Sequence, residues 1–388
     1  MVGGRGSGRH TFSWLGRNQE VEVGYFARHD VIDGQQQRNR LGTTVPYRTE
    51  LDLESALTNV ALYSDASITP LPYVTVRGGA RADLFHYRVH NKCALTSQTS
   101  FGGDQPNTEC FTSDRLGYRS ADQTTTTSAG VLQPRATVIL GPFQGFSFSA
   151  SRGSGARSID PQYVDQNLKT PFAEVVSTEG GVAYQDSVGP LDLQVRSTFF
   201  STSVDRDLFF NQTEGRNTLA DGTTRTGFAG SVRATGTFFD LAANVTAVRA
   251  TFDDTKLPIP YAPPFIARWD GVLFSRLPFT VFGERPEGTL GAGVSYVGRR
   301  PLPFDERSDI QFVVDAAAQL TVHWLTLAVT CTNLLDRRYR IGEYNYVSDF
   351  RSASYPTLVP ARHFSAGEPR AVYASLTVTF GRDSRGSK

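Results

Sequence analysis

Apolar and polar residues alternate one for one along most of this chain. The pattern holds over residues 21–29, 58–69, 73–89, 131–140, 146–151, 173–185, 191–203, 224–239, 241–252, 265–276, 289–299, 310–320, 325–333 and 371–380, with a doubtful first stretch at 10–15. Successive side chains of a strand point to opposite faces, so each stretch makes a ribbon that is apolar on one side and polar on the other. In the last one Val372, Ala374, Leu376, Val378 and Phe380 oppose Tyr373, Ser375, Thr377 and Thr379. The pattern predicts about fifteen strands, most of them near the ~9 to 11 residues of a tilted membrane crossing.

Two kinds of all-β protein use such ribbons, a soluble sandwich and a transmembrane barrel. The sequence holds no run of 18 apolar residues, which excludes spanning helices. Its mean hydropathy of −0.28 and 39% hydrophobic content do not exclude a barrel, because half of each strand faces a wet lumen. The connections favour the barrel. Short ones at 70–72, 141–145, 187–189 and around His323-Trp324 alternate with long ones at 30–57, 90–130, 153–171, 205–223, 300–309 and 340–370. A barrel with turns on its periplasmic rim and loops on its extracellular rim requires that asymmetry, and a sandwich has no reason for it.

The expected fold is therefore an antiparallel transmembrane β-barrel over residues 10–380, with about 14 to 16 strands of a larger barrel. Residues 1–9 are expected as a ragged start and 381–388 as a polar tail. A charge facing lipid at mid-membrane costs about 2 to 4 kcal/mol. Arg77, Arg81 and Asp83, opposite in parity to Val74, Val76, Ala82 and Leu84, should thus face the lumen. Phe228 and Phe238 would cap one face of the 224–239 strand, roughly 25 Å apart along the membrane normal.

A net charge of +1 gives no electrostatic reason to propose a nucleic-acid partner. Cys93 and Cys110 share one long polar loop, where they are either a local disulfide, suited to an oxidising compartment, or two free thiols. Cys331 follows Leu325, Leu327 and Val329 at period two and is expected to face lipid. Residues 1–10 lack the apolar core of a secretory signal, so the chain is expected to be the downstream part of a longer protein.

Several segments resemble the TonB-dependent outer-membrane receptors. They are Asn59–Asp65, Val76–Asp83, Leu132–Ala136, Ser149–Gly153, the stretch Asn333-Leu334-Leu335-Asp336-Arg337-Arg338-Tyr339, and Gly367-Glu368-Pro369-Arg370 leading into the final strand. The resemblance covers most of residues 58–380. It implies a barrel of the 22-strand size class, of which this chain supplies the C-terminal part of the wall without the plug. It also implies uptake of a scarce solute such as an iron chelate, with TonB engaged only through the absent plug. Outer-membrane lipid and the barrel-insertion machinery are the other implied partners, and Phe380 is the terminal aromatic that the machinery would read. A passive porin-like or structural barrel is the alternative.

No HExxH, GxSxG, Gly-rich phosphate loop or paired CxxC is present, so no enzyme and no cofactor is expected. His86 and His90 share a parity and could bind a metal, but ordinary rim residues explain them as well. Asp205-Arg206-Asp207, Asp253-Asp254 and Asp305-Glu306 are solvated loop charges or cation holders. Tyr344, Tyr346, Phe350 and Tyr355 in the last long loop are the candidate ligand-contacting aromatics.

Overall fold

The structure, a computed structural model, describes residues 1–39, 44, 46–92, 123–165, 170–211, 216–348 and 359–380. Its strands are β1 (Val2–Trp14), β2 (Arg17–Asn39), β3 (Pro46–Leu71), β4 (Val74–Asn91), β5 (Gln123–Phe143), β6 (Phe146–Ser158), β7 (Phe172–Val188), β8 (Leu191–Val204), β9 (Asp207–Asn211), β10 (Arg216–Ala220), β11 (Thr223–Thr235), β12 (Phe239–Phe252), β13 (Phe265–Arg276), β14 (Glu287–Val297), β15 (Gln311–Val322), β16 (Leu325–Thr332), β17 (Arg340–Ser348), β18 (Val359–Ala366) and β19 (Ala371–Val378), with one helix turn, α1 (Gln162–Asp165). Fifteen strands form one sheet in the order β1-β2-β3-β4-β5-β6-β7-β8-β11-β12-β13-β14-β15-β16-β19, while β9-β10 and β17-β18 are separate two-stranded hairpins. No helix among the described residues is long and apolar enough to cross a membrane.

Two compact units divide the chain. The first comprises Met1–Leu140, Ala150–Thr178 and Thr202–Thr223, and the second Gly141–Ser149, Glu179–Ser201 and Thr224–Lys388.

In the first unit, residues 2–9 are not a ragged start. They pair in unbroken register with β2, from Val2 opposite His29 to Trp14 opposite Arg17. Glycines at 3, 4, 6 and 8 hide the alternation because they carry no side chain to read. Gly6 lies opposite Tyr25, and a Cβ there would fall 2.7 Å from the tyrosine ring, so the glycine seats a cross-strand aromatic.

The expected loop at 30–57 is also largely strand. β2 pairs with β3 up to Asn39 opposite Pro46, making a hairpin longer than a membrane crossing. On β4 the even residues Val74, Val76, Ala82 and Leu84 lie beside Leu140, Val138, Leu132 and Gly130 of β5. From Val74 to Leu84 is about ten residues, which at ~3.3 Å rise and ~40° tilt is roughly 25 Å of apolar wall.

The odd residues of β4 face the other way. Phe85, Tyr87 and Val89 are buried against Leu53, Val164 of α1 and Phe172, with the Phe85 and Phe172 rings 5.3 Å apart. Among the described residues, the connection at 153–171 therefore carries an apolar pad. Tyr163 Oη donates to Asn217 O at 2.8 Å and accepts from Leu219 N at 2.9 Å, so β9-β10 is held to it.

In the second unit, the 224–239 stretch is two strands. β11 ends at Thr235, and Gly236 N donates to Phe239 O at 2.8 Å to close a turn. Phe238 lies in that turn, so it cannot cap a strand with Phe228. Its ring packs on Phe239 instead, at 5.2 Å, and the alternation merely continued through the turn. One face of β13–β16 and β19 carries Leu273, Leu290, Ala318, Val329 and Ala374 side by side. Cys331 pairs with Val372 on the same parity and is a free thiol. The other face carries Arg268, which bonds Asp270 and donates to Ser295 Oγ at 2.6 Å. Gly293 makes room for it: a Cβ there would meet the guanidinium at 2.3 Å.

Candidate ligand-binding surface

The long connection at 340–370 is the β17-β18 hairpin, and its alternation explains how it is held. On one face of β17, Glu343 and Asn345 are buried. Glu343 Oε1 accepts the Asp309 N–H at 2.7 Å, while Oε2 accepts Arg340 Nη1 at 3.1 Å and Arg362 Nη2 at 2.8 Å. Asn345 Nδ2 donates to Pro303 O at 3.0 Å. The buried carboxylate is thus matched by two guanidiniums and a backbone donor, as burial of a charge requires.

On the other face Tyr344, 37% exposed, packs on Tyr261 at 5.5 Å. Tyr346 stacks on His363 at 4.1 Å and 12°, and Ser348 Oγ lies 2.6 Å from His363 Nε2. Phe364, the register partner of Glu343, lies back on the first face, where Arg340 covers its exposed ring at 4.5 Å. Burial pushes the Tyr261 hydroxyl up to about 12. Three connections are therefore fixed together, with the guanidiniums and Phe364 on the Glu343 face of the hairpin and the Tyr344, Tyr346 and His363 rings on the opposite face; the first can neutralise an anionic ligand and the second can stack a planar one.

The base of this hairpin is the stretch that begins at Asn333. Its side chain is buried in the left-handed region, φ 48°. Asn333 Nδ2 donates to Arg337 O at 2.9 Å and Glu368 O at 3.1 Å, and Oδ1 accepts Arg337 N at 3.0 Å. It ties the two ends of the connection together. β16 stops at Thr332 because of it, one residue short of the expected strand.

Within the first unit, the polar face of β1–β5 lines a cavity of ≈ 1520 Å³ that includes Arg77 and Arg81. Both arginines thus lie on the face the parity assigned them. Asp83 is buried there, accepting from Arg81 Nε at 2.6 Å, Gln133 Nε2 at 2.6 Å and Asn59 Nδ2 at 2.9 Å. Tyr63 Oη donates to Glu22 at 2.9 Å, and Arg135 pairs with Asp65.

Of the residues expected from sequence, Tyr344 and Tyr346 stand on the hairpin, Tyr344 half turned to solvent and Tyr346 engaged by His363. Phe350, Tyr355, Cys93, Cys110 and 381–388 lie outside the described residues. Phe380 follows the last sheet hydrogen bond, Thr379 N to Trp324 O at 2.9 Å, and is 90% exposed. Asp207 is buried against Arg157 and Thr223, and Asp253 accepts from Thr224 at 2.7 Å. Those two carboxylates are occupied by protein donors. Among the described residues no three His, Cys, Asp or Glu side chains converge as a metal site. Tyr261, Glu343, Asn345 and His363 were missed, although Glu343-Tyr344-Asn345-Tyr346-Val347 alternates as a strand does.

An antiparallel sheet with, in its first unit, a roughly 25 Å apolar wall and a polar opposite face has the features of an outer-membrane β-barrel wall. The chain belongs to the TonB-dependent receptor-like β-barrel family, whose model matches residues 2–334. That membership places it in the outer membrane of a Gram-negative bacterium. Solved structures share the fold at low identity. The ferric-catecholate import receptor Fiu of Escherichia coli K12 is 14% identical with a TM-score of 0.67, covering 97% of this chain and 54% of its own. The ferric yersiniabactin uptake receptor FyuA of Yersinia pestis is 13% identical with a TM-score of 0.69 over the same shares, 97% and 54%. The copper transporter OprC is 12% identical with a TM-score of 0.62, covering 97% and 56%. This chain thus spans about half the length of these relatives. No curated protein matches the sequence.

Proposed function

We propose that the chain supplies part of the wall and the outer ligand-binding surface of a receptor that imports a scarce solute, an iron chelate or a similar metal complex, across the outer membrane. The observation that carries the reading is the fixed β17-β18 hairpin, which holds the rings around Tyr344 on one face and Arg340 and Arg362 on the other. It stands on the loop-bearing rim of a family whose solved members include ferric-chelate and copper transporters. A metal chelate with planar aromatic or anionic ligands suits that surface. Energy comes from TonB through a plug domain, and the lumen-facing charges of β1–β5 line the passage. Phe380 serves as the terminal aromatic for the insertion machinery.

The test is uptake of radiolabelled ferric catecholate, ferric hydroxamate, ferric citrate and copper by cells carrying the full receptor, with and without TonB. One cargo should enter only when TonB is present, with uptake lowered roughly tenfold in Tyr344→Ala, about 1.4 kcal/mol of lost contact. Equal entry of all four without TonB would replace the receptor with the passive pore.

A further inference from the structure

Above the apolar wall of the first unit, the outward face of β2–β5 changes character at one row. His29, Thr58, His86 and Ser128 are register partners across the four strands. They share the parity of Tyr25, Leu62, Leu84 and Leu132, all more than half exposed and turned outward. The next row is Val31, Ala56, Arg88 and Thr126. His29, His86, Arg88 and Thr126 are exposed. His29 Nδ1 lies 2.9 Å from Thr58 Oγ1, and His86 Nδ1 lies 2.7 Å from Ser128 Oγ. Each ring is thereby held to a hydroxyl of the neighbouring strand.

These two rows carry basic and hydroxyl groups and no acid. The first outward acids, Asp33 and Glu54, stand one row farther out and are paired with Lys92 at 3.4 and 3.0 Å. Among the described residues Arg88 makes no ion pair. At the same rise and tilt these rows stand roughly 30 and 35 Å above Val74, about 5 to 10 Å beyond the apolar wall and at headgroup depth.

We infer that His29, His86, Arg88 and Thr126 form an outer-wall site for the phosphate of a lipid headgroup in the outer leaflet. The site continues the lipid-facing wall directly below it. The guanidinium provides the charge and a forked pair of donors that fits a phosphate, and the flanking hydroxyl and imidazole groups add further hydrogen-bonding groups. Two strand spacings, roughly 10 Å, separate His29 from His86, so the row spans one headgroup rather than one atom.

Native mass spectrometry of the full chain, extracted from membranes in neutral detergent, tests this with phosphatidic acid, phosphatidylcholine and inorganic phosphate as probes. Phosphatidic acid should give more adducts than phosphatidylcholine. Arg88→Gln with His86→Gln should lower them about threefold, the size of an exposed charge-assisted contact, and Arg88→Lys should keep most of them. Retained heat-modifiable gel mobility checks that each variant is folded. Undiminished phosphatidic acid adducts in the folded double variant, or no preference over phosphatidylcholine, overturn the inference. Displacement of the lipid by millimolar inorganic phosphate also overturns it, by making this a site for the free ion.

Discussion

Replacing Asn333 with alanine should release the hairpin that carries the candidate surface. The asparagine side chain makes three hydrogen bonds, two to carbonyls and one from the Arg337 N–H. At about 1 kcal/mol net each, their loss is worth about 3 kcal/mol. A φ of 48° adds about 1 kcal/mol, because alanine lacks the tolerance of asparagine for that region. Local opening should thus become about 1000-fold more frequent, at 1.4 kcal/mol per factor of ten. Amide hydrogen exchange over residues 334–348 and 359–370 reads this directly, since opening controls the rate. Asn333→Asp keeps the Oδ1 acceptor and the left-handed tolerance but loses both Nδ2 donations, so its effect should be intermediate. Exchange in the alanine variant within about threefold of the original protein would show that Asn333 does not hold the loop. Equal exchange in the aspartate and alanine variants would show that acceptor and conformation contribute nothing.

In a tyrosinate titration at 295 nm, Tyr261→Phe should lack one transition that the protein shows near pH 12. The folded hydroxyl is held above its ordinary value of about 10. The stability it lends the loop is therefore complete below pH 10 and is lost as pH rises from there through about 12; a missing transition near 10 would refute the burial argument. Glu343→Gln removes the charge between Arg340 and Arg362, both about a third exposed, so the cost should be about 1 to 3 kcal/mol, below that of a fully buried pair. Trypsin should then cut at these arginines faster, and an unchanged rate would count against the clamp. Phe172→Ala empties a site that is 3% exposed and should destabilise the pad around α1 by about 3 to 5 kcal/mol, seen as a lower urea midpoint for exchange in residues 159–172.

The wall was legible because its signal is local. β13 occupies the residues its alternation marked, 265–276, and the polar parity of Arg77 and Arg81 is the face that lines the cavity. Where the signal is missing or misleading the reading fails for a physical reason. Glycines erase parity in β1, and a tight turn at Gly236 keeps the phase of the strand before it. Both faces of β17 and of the outer half of β2 meet water or other loops, so neither shows an apolar stripe. The surface itself was half legible. Tyr344 and Tyr346 were marked by their chemistry, but Tyr261 stands 83 positions before Tyr344, and no local rule joins them.

The two loop assemblies reach rigidity by opposite means, and this separates what each can do. The pad in the first unit rests on Leu53, Phe85, Tyr87, Val164 and Phe172. Its cohesion comes from removing apolar surface from water, which is non-directional and leaves no polar group to offer a ligand. The clamp in the second unit rests on Glu343 with Arg340 and Arg362, on Asn345, and on stacked rings. There every interaction is directional, and Tyr344, Phe364 and the outer edges of both guanidiniums remain exposed. A solute that is planar and anionic can engage those edges without displacing the buried contacts beneath them, because Glu343 uses only part of each guanidinium's five donors. Specific binding from water needs such groups held in place before the ligand arrives, and in this clamp the buried carboxylate is what holds them.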